Sequence, residues 1–151
     1  MMESFRNLSP LLNPRSVEVV GASEPPGSAG RLVLENLIQL GFPGDVYCVH
    51  PHNDAVLGFP CYQDLASLPK PVDSVAVLLG ADKVVPVLAG AAEAGAKAAW
   101  VLASRFGEAG EEGKAREKAL VSFAKKTGML ICGPNCITVA NMWGRFATHS
   151  V

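Results

Sequence analysis

The chain has 151 residues, enough for one complete domain with a core of its own and too few for two ordinary ones. Thirteen Lys and Arg against fourteen Asp and Glu leave a formal charge of −1, so no global positive field is available to hold a nucleic acid. No uninterrupted apolar run approaches the ~20 residues of a bilayer-spanning helix, and Met1 to Asn13 carries Glu3 and Arg6 in place of a long apolar signal segment; a cytoplasmic protein with no membrane partner is the expectation.

Along the chain, Val17 to Val20 is a β-branched run closing on Gly21-Ala22-Ser23, followed by a Pro- and Gly-rich loop and by helical spacing from Arg31 to Leu40. Gly41-Phe42-Pro43-Gly44 stops that helix, and Val46 to Val49 reads as a second strand. A turn-rich stretch from His50 to Pro60 and one helical turn near Asp64 to Leu68 precede a third, wholly apolar strand from Ser74 to Leu79. A helix is expected over Asp82 to Ala94, a fourth strand over Ala98 to Leu102, a charged amphipathic helix over Glu111 to Lys126 with pairs such as Glu112 to Arg116, and a fifth strand over Met129 to Cys132.

Apolar strands alternating with helices need crossover helices on both sheet faces. The expected fold is therefore a single α/β, Rossmann-like, doubly wound domain with a parallel sheet of about five strands, numbered along the chain in the order 3-2-1-4-5. The domain is expected to span residues 1–140, with 141–151 a tail leading toward a further domain. Open sheets of this kind bind ligands at the carboxyl ends of the strands, near the switch point. Trp100 within the fourth strand is expected in the core with its indole N–H seeking a carbonyl, and Trp143 is a candidate for covering an interface.

The loop from Gly21 to Gly30 has the makings of an anion site: glycines permit close backbone approach, and the following helix offers free N–H groups and a positive dipole end. Ser23 and Ser28 add hydroxyl groups. It is not the compact GxGxxG of dinucleotide folds, and a nicotinamide cofactor would want an acid after the second strand, where this chain has Val49-His50-Pro51-His52. That makes a nicotinamide-dependent redox domain the least favoured reading. Cys48, His50 and His52 alternate, with Cys61 not far beyond, but the spacing is unlike known zinc modules; a buried thiol with rim histidines is preferred. No metal is expected. A GxxxxGK[ST] triphosphate loop is absent, and His149 sits in no motif that would give it a catalytic role, so no catalytic residue is assigned.

Leu12-Asn13-Pro14-Arg15-Ser16-Val17, Gly21-Ala22-Ser23 with Pro26-Gly27 and Gly30, Gly41-Phe42-Pro43-Gly44-Asp45-Val46-Tyr47, Leu57-Gly58, Cys61-Tyr62, Leu68-Pro69 and Pro71-Val72-Asp73 follow in order. Gly95-Ala96-Lys97-Ala98, Phe106 to Gly110 and Gly133-Pro134-Asn135-Cys136 complete the set. Together they resemble the amino-terminal CoA-binding domain of NDP-forming acyl-CoA synthetases, which is related to the alpha subunit of succinyl-CoA synthetase. The resemblance covers nearly the whole chain.

It implies coenzyme A across the strand ends. The contacts it implies are Gly21, Ala22, Ser23, Gly27, Ser28 and Gly30 on the first loop, Val49, His50 and His52 after the second strand, Leu79 and Gly80 after the third, Ser104 and Phe106 after the fourth, and Asn135 and Cys136 after the fifth. It implies an activity as well: a carboxylic acid, CoA and ATP give acyl-CoA, ADP and phosphate, with further synthetase domains, an ATP-grasp part among them, supplied in cis or as another subunit. In that scheme this domain positions CoA and is not competent alone. A stand-alone CoA or nucleotide sensor, or a regulatory domain of a protein acetyltransferase, is the alternative. The chain departs from the family pattern on the ligand rim, with His50 for an Asn, Leu79-Gly80 for Val-Pro, Arg105 for a Gly and Ile137-Thr138 for Leu-Gly.

Overall fold

A computed structural model describes residues 6–149; Glu3 and the last two residues of the expected tail lie outside them. In chain order the elements are α1 (Ser9–Leu12), β1 (Ser16–Val20), α2 (Ala29–Leu40), β2 (Asp45–Val49), β3 (Ala55–Val56), β4 (Phe59–Tyr62), β5 (Ser74–Val77), α3 (Ala81–Glu93), β6 (Ala98–Val101), α4 (Gly110–Thr127), β7 (Leu130–Cys132), β8 (Ala140–Asn141) and β9 (Phe146–Ala147). Single 3-10 turns occupy Leu65–Ser67 and Gly107–Ala109. Gly41 and Gly128 end α2 and α4 in the left-handed conformation that glycine adopts without a Cβ penalty.

The main sheet runs β3-β4-β2-β1-β5-β6-β7, parallel throughout except for the β3–β4 pair. The α/β Rossmann-like class is as expected; strand count and order differ. The order 3-2-1-4-5 sets the Ser74 strand beyond the Val46 strand, whereas β5 pairs with β1, Val19 opposite Ala76. The place beyond β2 belongs to β4, with Cys61 opposite Cys48. Counting β4 as a strand turns the series into 3-2-1-4-5-6.

The physical reason β4 escapes a sequence reading is its turn. Leu57 and Gly58, with φ of 49° and 84°, make a two-residue hairpin connection with both central residues left-handed. That conformation normally announces itself as Asn-Gly or Asp-Gly. Here the half-buried Leu57 packs against the apolar cluster on the α2 face.

Side chains alternate across the sheet. Val17 and Val19 of β1 join Val33, Leu34 and Leu37 of α2, with Cys48, Ala76 and Trp100, on one face. Val20 joins Val75, Val77, Val84, Leu88, Ala99, Val101 and Leu120 under α3 and α4 on the other. The α2 face has a single long helix, and the short β8–β9 hairpin completes its cover: Phe146 is 1 % exposed and stacks on Phe42 at a centroid distance of 5.6 Å. The segment set apart as a tail thus begins with a hairpin packed on the core.

Among the described residues, two buried side-chain polar groups lack hydrogen-bond partners. The Trp100 indole N–H finds no carbonyl, against expectation, since strand β6 is flanked by β5 and β7, whose carbonyls serve the ladder. The Glu18 carboxylate, 0 % exposed in the central strand, also has none; burial pushes its pKa from 4.5 to about 8, so near neutrality it is largely a neutral acid.

Candidate functional site

The carboxyl ends of β5 and β6, the start of α2 and the turn after β7 surround a cleft of about 740 Å³. Leu78, Leu79, Ala81, Leu102 and Ala103 form apolar wall, and Ala29, Gly80, Ser104, Arg105, Arg116, Asp82 and Asn135 supply the rest. An open parallel sheet is expected to bind its ligand in this position, because crossovers diverge to opposite faces on the two sides of β1.

Main-chain geometry brings the glycine loop to this edge. Gly21 has φ of 98°, and a Cβ there would overlap the Leu78 carbonyl oxygen; a Cβ on Gly30 would overlap the Gly21 carbonyl oxygen. These two glycines let α2 and β5 close on the end of β1. Gly27 differs: its φ is 78°, and a Cβ would meet nothing within 4 Å, so the loop there presents bare backbone to open space.

Both serine hydroxyls are used inside the loop. Ser23 Oγ donates to Ser28 Oγ at 2.7 Å, and Ser28 Oγ donates to the Pro25 carbonyl at 2.7 Å. Ser28 therefore makes no side-chain cap to α2, and no acidic residue stands in that helix's first turn, whereas α3 carries Asp82 and α4 Glu111 and Glu112 in theirs. Of the three long helices among the described residues, α2 alone offers uncapped N–H groups free of a competing carboxylate in its first turn, which suits an anion.

On the other rim, His50 Nδ1 accepts hydrogen bonds from the main-chain N–H of His52 at 3.3 Å and of Asn53 at 3.0 Å. The ring does here what an Asn side-chain oxygen does in an Asx turn. The two rings meet edge on, 6.3 Å apart. Neither lines the cleft, and among the described residues no group of three or more His, Cys, Asp or Glu is arranged to hold a metal. Cys48 is fully buried, and desolvation, first, with the neighbouring Cys61 raises its pKa far above the ordinary thiol value.

Of the candidate contacts, Leu79, Gly80, Ser104 and Asn135 meet in the cleft, while the side chains of Ala22 and Phe106 are buried, at 3 % and 1 % exposure. Asn135 is held by an antiparallel bridge to Leu102 and by Ala103 N–H donating to Pro134 O at 2.8 Å. Arg116 was legible only as the partner of Glu112. That ion pair forms, but Arg116 also donates to the Arg105 carbonyl and lines the cleft, since the 3-10 turn folds α4 back over the loop. Arg105 itself has φ of 73°, a left-handed conformation that glycine adopts more readily, with its N–H held by the Glu108 carboxylate.

Residues 15–142 match the CoA binding domain family. The chain belongs to that family. This CoA-binding domain is 38% identical over 142 residues to an ADP-forming acetate–CoA ligase II of Archaeoglobus fulgidus, covering 94% of this chain and 21% of the relative. It is 38% identical over 137 residues to the alpha subunit of the ADP-forming acetate–CoA ligase I of Pyrococcus furiosus, covering 88% and 30%. It is 35% identical over 134 residues to an ADP-forming 4-hydroxybutyrate–CoA ligase of Nitrosopumilus maritimus, covering 89% and 19%.

Among solved structures, the dinucleotide-forming acetyl-coenzyme A synthetase 1 of Ca. Korarchaeum cryptofilum, in complex with phosphate and ADP, superposes with a TM-score of 0.87 at 36% identity, covering 93% of this chain and 30% of that one. A conserved hypothetical protein of Pyrococcus furiosus of similar size gives 0.63 at 28%, covering 82% and 96%. The CoA-binding domain thus matches ADP-forming acyl-CoA synthetases and spans about a third or less of their length. Among the described residues no helix is long and apolar enough to cross a membrane.

Proposed function

We propose that this domain holds CoA for thioester formation in an ADP-forming acyl-CoA synthetase, the acid, ATP and phosphoryl-transfer chemistry residing on partner domains in cis or in a second subunit. The observation that carries the reading is the bare start of α2, with Gly27 and the uncapped N–H groups after Ser28 beside a half-apolar cleft. CoA is an adenosine 3′-phosphate joined through a pyrophosphate to a long, mostly apolar pantetheine arm, and that pair of surfaces suits it. The pyrophosphate lies on the loop from Gly21 to Gly30, the phosphorylated ribose toward His50 and His52, and the arm runs past Leu79, Gly80 and Ser104 to Asn135 and Cys136. Positioning is the domain's contribution, since a thiol fixed against an acyl phosphate reacts as though far more concentrated.

The relatives named above act on different acids at similar identity, which supports placing the choice of acid elsewhere. We place the reaction in the cytoplasm, and the test is reconstitution from purified parts. The isolated chain makes no acyl-CoA from acid, CoA and ATP; adding the downstream domains as a separate polypeptide restores turnover. ATP-dependent thioester formation by the isolated chain overturns the division of labour, and CoA binding without rescue by any synthetase partner favours a sensor.

A further inference from the structure

At the Asn135 end of the cleft, Cys132 Sγ and Cys136 Sγ lie 3.3 Å apart, both half-buried and both free thiols. Cys132 closes β7, and Cys136 follows the turn Gly133-Pro134-Asn135. The Cys132 thiol donates to the Cys136 sulfur, which in turn donates to the Thr138 carbonyl at 3.4 Å. The turn between them is short and tied to the cleft wall: Ala103 N–H donates to Pro134 O, and Cys136 N–H donates to Val101 O at 3.1 Å.

We propose that Cys132 and Cys136 form a reversible disulfide that closes the Asn135 end of the cleft to CoA, an inference that rests on the ligand reading above. A disulfide needs its sulfurs at about 2.05 Å, so closure draws them together by more than an ångström and removes the Cys136 donor from Thr138. The short turn that carries Asn135 absorbs this movement. The other close pair is less suited: Cys48 and Cys61 face each other on adjacent parallel strands, and Cys48 is fully buried, out of reach of an oxidant.

The oxidant is a low-molecular-weight disulfide of the glutathione class. One protein thiolate opens it, forming a mixed disulfide and releasing one small thiol; the second protein thiolate then attacks the mixed disulfide and releases the other. The two thiol protons end on the two released thiols, and two electrons pass from the cysteines to the oxidant. Burial, then the contact with Cys136, pushes the Cys132 thiol up to about 11, so exchange is slow at neutral pH and quickens as pH rises.

The experiment treats the full chain with glutathione disulfide, maps the linkage by mass spectrometry of a non-reduced digest, and titrates CoA before and after, with dithiothreitol to reverse. A Cys132–Cys136 linked peptide together with a roughly tenfold loss of CoA affinity, restored by dithiothreitol, is expected. Cys132→Ser should bind CoA as the reduced protein does and lose all sensitivity to the oxidant. Free thiols, or only a stable glutathione adduct, overturn the disulfide; a linked peptide with unchanged CoA affinity overturns the closure. Should the reduced chain bind no CoA at all, the ligand reading has failed, closure falls with it, and the linkage is judged by the mass data.

Discussion

Gly30, in the first turn of α2, packs directly on Gly21 at the end of β1, so that a Cβ at position 30 would overlap the Gly21 carbonyl oxygen. Backbone lies on both sides of that contact, and no flexible side chain can give way. Gly30→Ala should therefore cost about 1–3 kcal/mol of stability and weaken CoA binding by displacing the loop. Gly27, whose Cβ would enter open space, tests the site itself: Gly27→Val pays only the strain of a left-handed non-glycine residue, about 1–2 kcal/mol, and should stay folded with CoA binding abolished. Thermal melts beside CoA titrations of the two variants read both effects.

The Glu18 carboxyl gives stability a pH slope. Its folded pKa, about 8, lies above the ordinary 4.5, so the native state holds a proton that the unfolded chain releases across that range. Stability from this group is full below pH 4.5 and is lost as pH rises through 8. Glu18→Met, which removes a buried acid without a partner, should raise stability by about 1–3 kcal/mol at pH 8 and flatten the slope. Chemical denaturation at pH 5, 6.5 and 8 measures it.

His50→Asn should leave the turn after β2 intact, because an amide oxygen can accept from the same two N–H groups; His50→Ala leaves both without their acceptor and should cost about 1 kcal/mol. Amide exchange at His52 and Asn53 separates the two variants.

Much of this architecture is legible in the sequence because the strands that build its centre are short β-branched or apolar runs with glycine or proline punctuation: Val17 to Val20 and Val46 to Val49 sit where periodicity puts them, and the strand expected over Ser74 to Leu79 is present as Ser74–Val77. What escaped depends on tertiary support. The left-handed Leu57 hides the β3–β4 hairpin because packing, not residue type, stabilises it. Arg116 reads as a surface ion pair because no local signal reports that α4 folds over the Arg105 loop. The β8–β9 hairpin is too short for alternation to show, and Phe146 is fixed by Phe42 a hundred residues earlier. At the glycine loop, Ser23 and Ser28 were expected to add hydroxyl donors to those of the main chain, whereas Ser23 donates to Ser28 and Ser28 to the Pro25 carbonyl, an arrangement that only the folded loop reveals.

Trp143, 99 % exposed at the tip of that hairpin, bears little of the fold. Trp143→Ser should change stability by less than about 0.5 kcal/mol and leave an emission spectrum shifted to the blue, that of the buried Trp100 alone. A large loss of stability in this variant would mean that the indole packs on the domain.

The central claim, that the cleft beside the bare start of α2 is a CoA site, is tested most directly by ligand-induced thermal shift of the isolated chain with CoA, dephospho-CoA, NAD and ADP. A ligand at a hundred times its dissociation constant stabilises the folded state by about 2.7 kcal/mol, well within reach of a melting curve. CoA should raise the melting temperature most, dephospho-CoA less because it lacks the phosphate proposed to lie toward His50 and His52, ADP less again, and NAD not at all. Stabilisation by NAD with none by CoA would contradict the account.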